Sequence, residues 1–316
     1  MRARALGEGA DRGPATADGV GFASPQSLGI APAHRLFTNH IDACGVTLII
    51  AALCTVLHGQ ATPATFPILG TLAVTCWFAF AVNDYFDARQ DAADPFKRTR
   101  NFFVGRSIPR GHRVVGGAVV IALIGVGFAS FGTRGLLEYA VALAAIMVYS
   151  APPLRLKGRP VLDLAMHGFF VETAPYYATL FLLDAPWNAL DRTLIALFFL
   201  GSLAAQVEQQ TRDYATDLGG ERTFATMIGL RPAALLLRIL SGLFGVLIVV
   251  AFFVGVIPVW FIPFGLIGLP VIVHRFTRRP DEPRSQRLII AVLALELAYM
   301  AAVYGAAFVR DTGRLP

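Results

Sequence analysis

Residues 66–91 read FPILGTLAVTCWFAFAVNDYFDARQD. The first part is apolar, and about 20 such residues cover the roughly 30 Å of hydrocarbon in a bilayer. The last part carries Asn83, Asp84, Asp87 and Asp91. An aspartate at the bilayer centre costs about 2.5–3.5 kcal/mol on insertion scales, so acids gathered where a span ends invite a functional reading. This segment therefore predicts both a membrane-spanning helix and a polar site at one of its ends.

The rest of the chain has the same character. It is 55% apolar and 15% charged over 316 residues, with a mean hydropathy of +0.60; a soluble chain would carry nearer a quarter charged residues. Nine apolar segments are read, at about 41–58, 66–84, 113–132, 135–150, 162–183, 190–209, 232–256, 258–275 and 288–309. The expected fold is all-α: a polytopic membrane protein of about nine transmembrane helices. Charge placement tests that count. With the N-terminus inside, 23 of the 27 Lys and Arg fall on the inner side, leaving Arg134, Arg192, Arg310 and Arg314 outside. This is the bias of the positive-inside rule, and a wrong span count would scramble it. The net charge of +6 is then mainly a topology signal, which removes the motive for a nucleic-acid partner.

Residues 1–34, rich in Gly, Ala and Ser and without an apolar run, read as a flexible cytoplasmic tail, not as a signal peptide. Residues 35–310 form the membrane domain and 311–316 a short C-terminal tail. Cys44, Cys54 and Cys76 lie in spans without metal-ligand spacing and read as small packing residues.

Two acidic clusters carry the chemistry. Asn83, Asp87 and Asp91 are four residues apart and stack along one face of a continuing helix. Asp213 and Asp217, at the end of the sixth segment, repeat that spacing, with Gln209 one turn earlier. Both segments run outward to inward, so the clusters reach the same side. A lone acidic pair is usually a solvated helix end. Two equally spaced pairs on one side look like one site, and hard oxygen ligands are what Mg²⁺ prefers together with substrate phosphates. After the fourth segment comes Tyr149-Ser150-Ala151-Pro152-Pro153-Leu154-Arg155-Leu156-Lys157-Gly158-Arg159. The prolines stop the helix, and Arg155 and Lys157 can supply contacts to phosphate oxygens.

Taken together, these residues resemble the UbiA superfamily of intramembrane prenyltransferases. Its NDxxDxxxD signature is matched by Asn83, Asp84, Asp87 and Asp91, its DxxxD by Asp213 and Asp217, and its Tyr-to-Lys element by the stretch from Tyr149 to Lys157. The resemblance implies a central cavity under a cytoplasmic cap, with two Mg²⁺ ions bridging the carboxylates and a prenyl diphosphate. It assigns Asn83, Asp87, Asp91, Asp213 and Asp217 to the metal, the four aspartates among them being catalytic. Asn83, Asp84, Tyr149, Arg155, Lys157 and Arg212 go to the substrate. Where many members have Asn-Arg-Pro-Ile after the first motif, this chain has Thr99-Arg100-Asn101-Phe102-Phe103. Where many have Arg-Pro at the first helix, it has Asn39-His40. Both departures bear on the acceptor.

The implied reaction is transfer of a prenyl group from a polyprenyl diphosphate to a small or lipophilic, aromatic acceptor. A terpene cyclase of the same superfamily is the alternative. A cation transporter would place acids near the midplane of several helices, not at one interface. Phe86, Phe169, Phe170, Tyr176 and Tyr177 are candidates for stabilising an allylic cation, although packing or lipid contact is their ordinary use. Asp163 and Glu172 could face a cavity, Glu208 and Glu296 could pair structurally, and His40 and His167 read as packing histidines.

Topology can be probed directly. Single cysteines at Arg98, at Arg279 and at the C-terminus, in a protein lacking the three native cysteines, are treated with an impermeant thiol reagent in oriented vesicles. The two loops should label from one side and the C-terminus from the other. Labelling of Arg98 and the C-terminus from the same side contradicts the nine-span reading.

Overall fold

The structure is a computed structural model, and it describes residues 31–219, 222–279, 282 and 285–313; the expected N-terminal tail lies almost wholly outside these. The described residues are helical, without strands. The principal helices are α1 (Ile41–Leu57), α2 (Phe66–Asp91), α3 (Arg110–Ala129) and α4 (Gly132–Ser150). A broken α5 follows (Pro160–Gly168, a π turn at Phe169–Thr173, then Ala174–Leu182). The last four are α6 (Ala189–Arg212), α7 (Leu230–Phe253), α8 (Ile262–Thr277) and α9 (Gln286–Asp311). Each apolar segment read from the sequence is thus helical. Among the described residues, six helices (α2, α3, α6, α7, α8 and α9) are long and apolar enough to cross a membrane. The 17-residue α1 is shorter, α4 carries Arg134 and Glu138, and α5 is interrupted.

Consecutive helices pack on one another, and α9 returns to α1, so the bundle closes into a ring. α1 also packs on α5, and this inner contact includes Ile50, Leu53, Tyr176 and Leu180 of the main core. The outward faces stay apolar: Leu123, Val246 and Leu266 are each at least 60% exposed. In water such surface would be an aggregation hazard, whereas against lipid tails it is the expected solvent face. The protein is an integral membrane protein.

Local chemistry explains the interruptions. Pro175 has no N–H for the carbonyl of Val171, and the helix passes through the π turn just before it, with the Thr173 hydroxyl donating to Gly168 O at 3.0 Å. At the end of α6 opposite the acidic clusters, Asn188 and Asp191 form a capping box. The buried Asp191 also accepts from Tyr176 Oη at 2.6 Å and lies 3.0 Å from His58 Nε2. This clasp fixes α1, α5 and α6 at one level.

The hairpin from α3 to α4 is tight. Gly132 has φ +62°, and a Cβ on Gly135 would lie 1.7 Å from the carbonyl oxygen of Phe128. Gly135→Ala must therefore push two helices apart, and overpacking of this kind costs about 1–3 kcal/mol. It should lower the thermal midpoint in detergent, while Gly116→Ala, with nothing within 4 Å of the added carbon, should not. Equal midpoints for the two variants would contradict the packing.

Candidate active site

A cavity of about 410 Å³ lies inside the ring, walled mainly by α1, α2, α4, α5 and α6, with Phe128 of α3 and the loop after α2 completing it. Its inner part is mostly apolar, formed by residues such as Leu72, Phe128, Ala142, Ile146, Val171 and Ala178, with Glu138 of α4 also on the wall. The other end is polar, and both acidic clusters open onto it: Asn83, Asp84, Asp87 and Asp91 from α2, with Asp213 and Asp217 beyond α6. Residues about 126 apart in sequence thus share one chamber.

Each carboxylate has its own partners. Asp87, 4% exposed, accepts from Arg155 Nη2 at 2.9 Å and from Lys157 Nζ. Both cations stand on the turn after α4, where Arg155 adopts φ +34°. A left-handed conformation costs a non-glycine residue roughly 1–2 kcal/mol, so this turn is held in place by the contacts it makes. Asp91 accepts from Asn101 Nδ2 at 2.8 Å, and the same nitrogen reaches the backbone oxygen of Asp84 at 2.8 Å. Asp213 receives Arg212 through Nε at 2.7 Å and Nη2 at 3.0 Å, and Lys97 Nζ at 3.1 Å. Burial would raise the Asp213 carboxyl, but the hydrogen bond and charge of Arg212, joined by Lys97, outweigh it and hold it below its ordinary value. Burial likewise opposes the charge on Lys97, yet Asp213 lifts that ammonium above its usual range. Both are therefore ionised at neutral pH.

Some expected residues sit differently from a continuous-helix picture. α6 ends at Arg212, and Asp213 (φ −88°, ψ 3°) leads into a short helix, Tyr214–Asp217. The i to i+4 relation survives the break because Asp217 N donates to Asp213 O at 2.9 Å. Asp84 falls off the stripe of Asn83, Asp87 and Asp91 and turns toward the start of α1, accepting from Asn39 Nδ2 at 3.0 Å. Tyr149 lines the cavity and donates its hydroxyl to Asp163 at 2.8 Å. The buried Asp163 also accepts from Gln206 at 2.7 Å and Gln210 at 2.6 Å, which makes it a hub for α4, α5 and α6.

Of the five aromatic candidates, Phe170 is on the cavity wall, joined by Phe80 and Phe128. Tyr176 is committed to Asp191. Glu172 stands away from the cavity wall, against Gly201 of α6. Glu208 pairs with Arg275 at 3.0 Å and Arg278 at 3.3 Å, the structural role expected of it. His167 lines the cavity, and so does His40. Sequence reasoning passed over Lys97, Gln206 and Gln210, and gave Asn101 no role of its own within residues 99–103. The two glutamines, polar and at the inner end of a span, offered a signal; Lys97, in a short connecting segment between spans, offered none.

The donor set suits a hard divalent ion. The described residues hold no preformed cluster of three or more His, Cys, Asp or Glu around a point. Yet Asn83 Oδ1 is buried without a hydrogen-bond partner among them, in the same chamber as four carboxylates at helical spacing. A buried amide oxygen left unpaired costs about 1–3 kcal/mol, and a cation between it and Asp87 would satisfy it.

The helices form a ring around one cavity that is largely apolar inside and lined with paired carboxylates and cations at one end. The chain belongs to the UbiA prenyltransferase family, whose sequence profile matches residues 45–300. A UbiA homolog from Archaeoglobus fulgidus, solved bound to GPP and Mg²⁺, has the same fold: TM-score 0.67 at 21% identity, over 86% of this chain and 99% of that one. The apo structure of a UbiA homolog from Aeropyrum pernix K1 gives 0.61 at 16% identity, over 85% and 98%. The digeranylgeranylglyceryl phosphate synthase of Methanopyrus kandleri is 33% identical over 141 residues, 45% of this chain and 48% of that protein. The chain thus matches about half the length of that curated relative.

The cations on Asp87 can be tested separately from their topological role. If Lys157 and Arg155 also meet a diphosphate, Lys157→Ala should lower kcat as well as raise KM for geranyl diphosphate, because leaving-group charge grows in the transition state. A lost charged hydrogen bond is worth about 1.5–3 kcal/mol, or one to two decades. Lys157→Arg should be milder, as should Arg155→Lys beside Arg155→Ala. Arg287→Ala, exposed at the start of α9, should be neutral. Equal kcat/KM for Lys157→Ala and Arg287→Ala would reduce the loop to a topology signal.

Proposed function

We propose that the protein transfers a prenyl group from a polyprenyl diphosphate to a small or lipophilic, aromatic acceptor, with Mg²⁺ as cofactor. The observation that carries this is the convergence of both acidic clusters and the Lys157 turn on the polar end of one apolar cavity. A diphosphate belongs at the charged end and its isoprenoid tail in the apolar part.

Asn83, Asp87, Asp91, Asp213 and Asp217 would hold the metal. Bound there, Mg²⁺ neutralises diphosphate charge and stabilises it as a leaving group. Lys157, Arg155 and Arg212, which occupy Asp87 and Asp213 here, would turn part of their hydrogen bonding to phosphate oxygens. Asn101 keeps Asp91 in register with Asp84 on α2. The apolar wall excludes water from the allylic cation left when the carbon–oxygen bond breaks, and Phe80, Phe128 and Phe170 offer ring faces to it. The tail reaches the cavity from the bilayer, which is its own solvent. The nine apolar segments, all helical, and the distribution of Lys and Arg support nine crossings with the N-terminus and the polar end on the cytoplasmic side.

Purified protein is incubated with Mg²⁺ and prenyl diphosphates, with and without acceptors, and products are identified by mass. Asp87→Ala, Asp91→Ala, Asp213→Ala and Asp217→Ala should each lose at least about a hundredfold in turnover, since preorganised charge at a leaving group is worth several kcal/mol. EDTA should do the same to the unaltered protein. Near-normal turnover in two of these variants, or indifference to EDTA, removes the mechanism; a cyclised hydrocarbon formed without acceptor would reassign it as a cyclase.

A further inference from the structure

The start of α1 carries a second group of polar residues on the same cavity. His40 Nε2 lies 3.0 Å from Asp84 Oδ1, and its ring stacks on Phe80 with centroids 4.3 Å apart and planes at 15°. Asn39 Nδ2 donates to Asp84 Oδ2 at 3.0 Å. The amide orientation of Asn39 is set from outside, because Arg100 Nε donates to its Oδ1 at 3.0 Å and Arg100 Nη2 to its backbone oxygen at 3.2 Å. Asp84 is 8% exposed, and a carboxylate can only accept. Asn39 Nδ2 also lies 3.0 Å from His40 Nε2; because that amide already donates to Asp84 Oδ2 while Asp84 Oδ1 needs a donor of its own, the tautomer with the proton on Nε2 satisfies the carboxylate and leaves Nδ1 with a lone pair. Nδ1 has no hydrogen-bond partner among the described residues.

The location of this pair is as informative as its bonding. Asp84 precedes Asp87 by three residues on a continuous helix, about 4.5 Å along the axis at 1.5 Å per residue, and on the side toward the apolar part of the cavity. A diphosphate held at the level of Asp87 and Asp91 would place its first allylic carbon near the level of Asp84. A histidine fixed by a carboxylate, on a cavity wall beside the reacting carbon, is the arrangement of a general base.

We propose that His40 is the base that takes the proton of the acceptor, with Asp84 as its positioning residue, and that the acceptor presents a hydroxyl. The inference rests on the prenyltransferase reading. In the step, the carbon–oxygen bond of the prenyl diphosphate breaks and its electron pair leaves with pyrophosphate. The acceptor oxygen forms the new bond to the allylic carbon, and its proton passes to His40 Nδ1. The charge on the imidazolium is stabilised by Asp84.

The test uses the full-length protein in detergent with Mg²⁺, geranyl diphosphate as donor, and 4-hydroxybenzoate and an alkyl glyceryl phosphate as hydroxyl probes. Donor binding is measured by calorimetry and transfer by product mass. In His40→Gln the side-chain amide can still donate to Asp84, so folding and donor affinity should stay within about threefold, while kcat for transfer falls by about 10²–10⁴, the usual worth of a general base. His40→Ala should lose transfer likewise and regain part of it with added imidazole. Transfer unchanged in His40→Gln, or transfer and donor binding lost together, would overturn the assignment. So would a native protein that binds geranyl diphosphate but prenylates neither probe. If the native protein does not bind geranyl diphosphate with Mg²⁺ at all, the prenyltransferase reading fails first and this inference with it.

Discussion

Asp84, Asp87, Asp91, Asp163, Asp213 and Asp217 are among the eight carboxylates that line one cavity, the others being Asp42 and Glu138, in an otherwise largely apolar bundle. Like charges at such spacing repel, and the low dielectric around them strengthens the repulsion. Much of the polar architecture can be understood as a response. The turn after α4 brings Arg155 and Lys157 to Asp87, the loop after α2 brings Lys97 to Asp213 and Asn101 to Asp91, and the start of α1 brings Asn39 and His40 to Asp84. Breaking a buried pair by removing one partner typically costs about 3–5 kcal/mol. The polar end of the bundle is thus organised around these charges.

This arrangement also explains why stability and chemistry are divided along the helix axis. At the far end, Asp191 is satisfied by its capping box, Tyr176 and His58, and that carboxylate has no share in the cavity. At the near end, Asn83 retains an unpaired oxygen, and the Arg155 backbone holds a left-handed conformation. Between the two ends lie the apolar wall and the π turn of α5.

The fold and the acidic stripes were legible because both are periodic. Long apolar runs and the charge bias identify spans from local composition, and Asn83, Asp87 and Asp91 share a face through simple helical spacing. The same geometry could have set Asp84 apart, since one residue rotates the side chain by about 100°. What the sequence hid is tertiary. His40 meets Asp84 across 44 residues and Lys97 meets Asp213 across 116. Neither loop carries a period that would announce its destination. The interruption of α6 at Asp213 has no proline or glycine to mark it, whereas Pro175 does mark the π turn.

The central claim is that the two acidic clusters share divalent metal with a prenyl diphosphate. Electron–nuclear double resonance on the Mn²⁺-loaded protein tests it without relying on turnover. With geranyl diphosphate present, the Mn²⁺ signal should show coupling to ³¹P, and that coupling should vanish in Asp87→Asn and in Asp213→Asn. Mn²⁺ that binds without phosphorus coupling, or coupling that survives the loss of both carboxylates, would contradict the account.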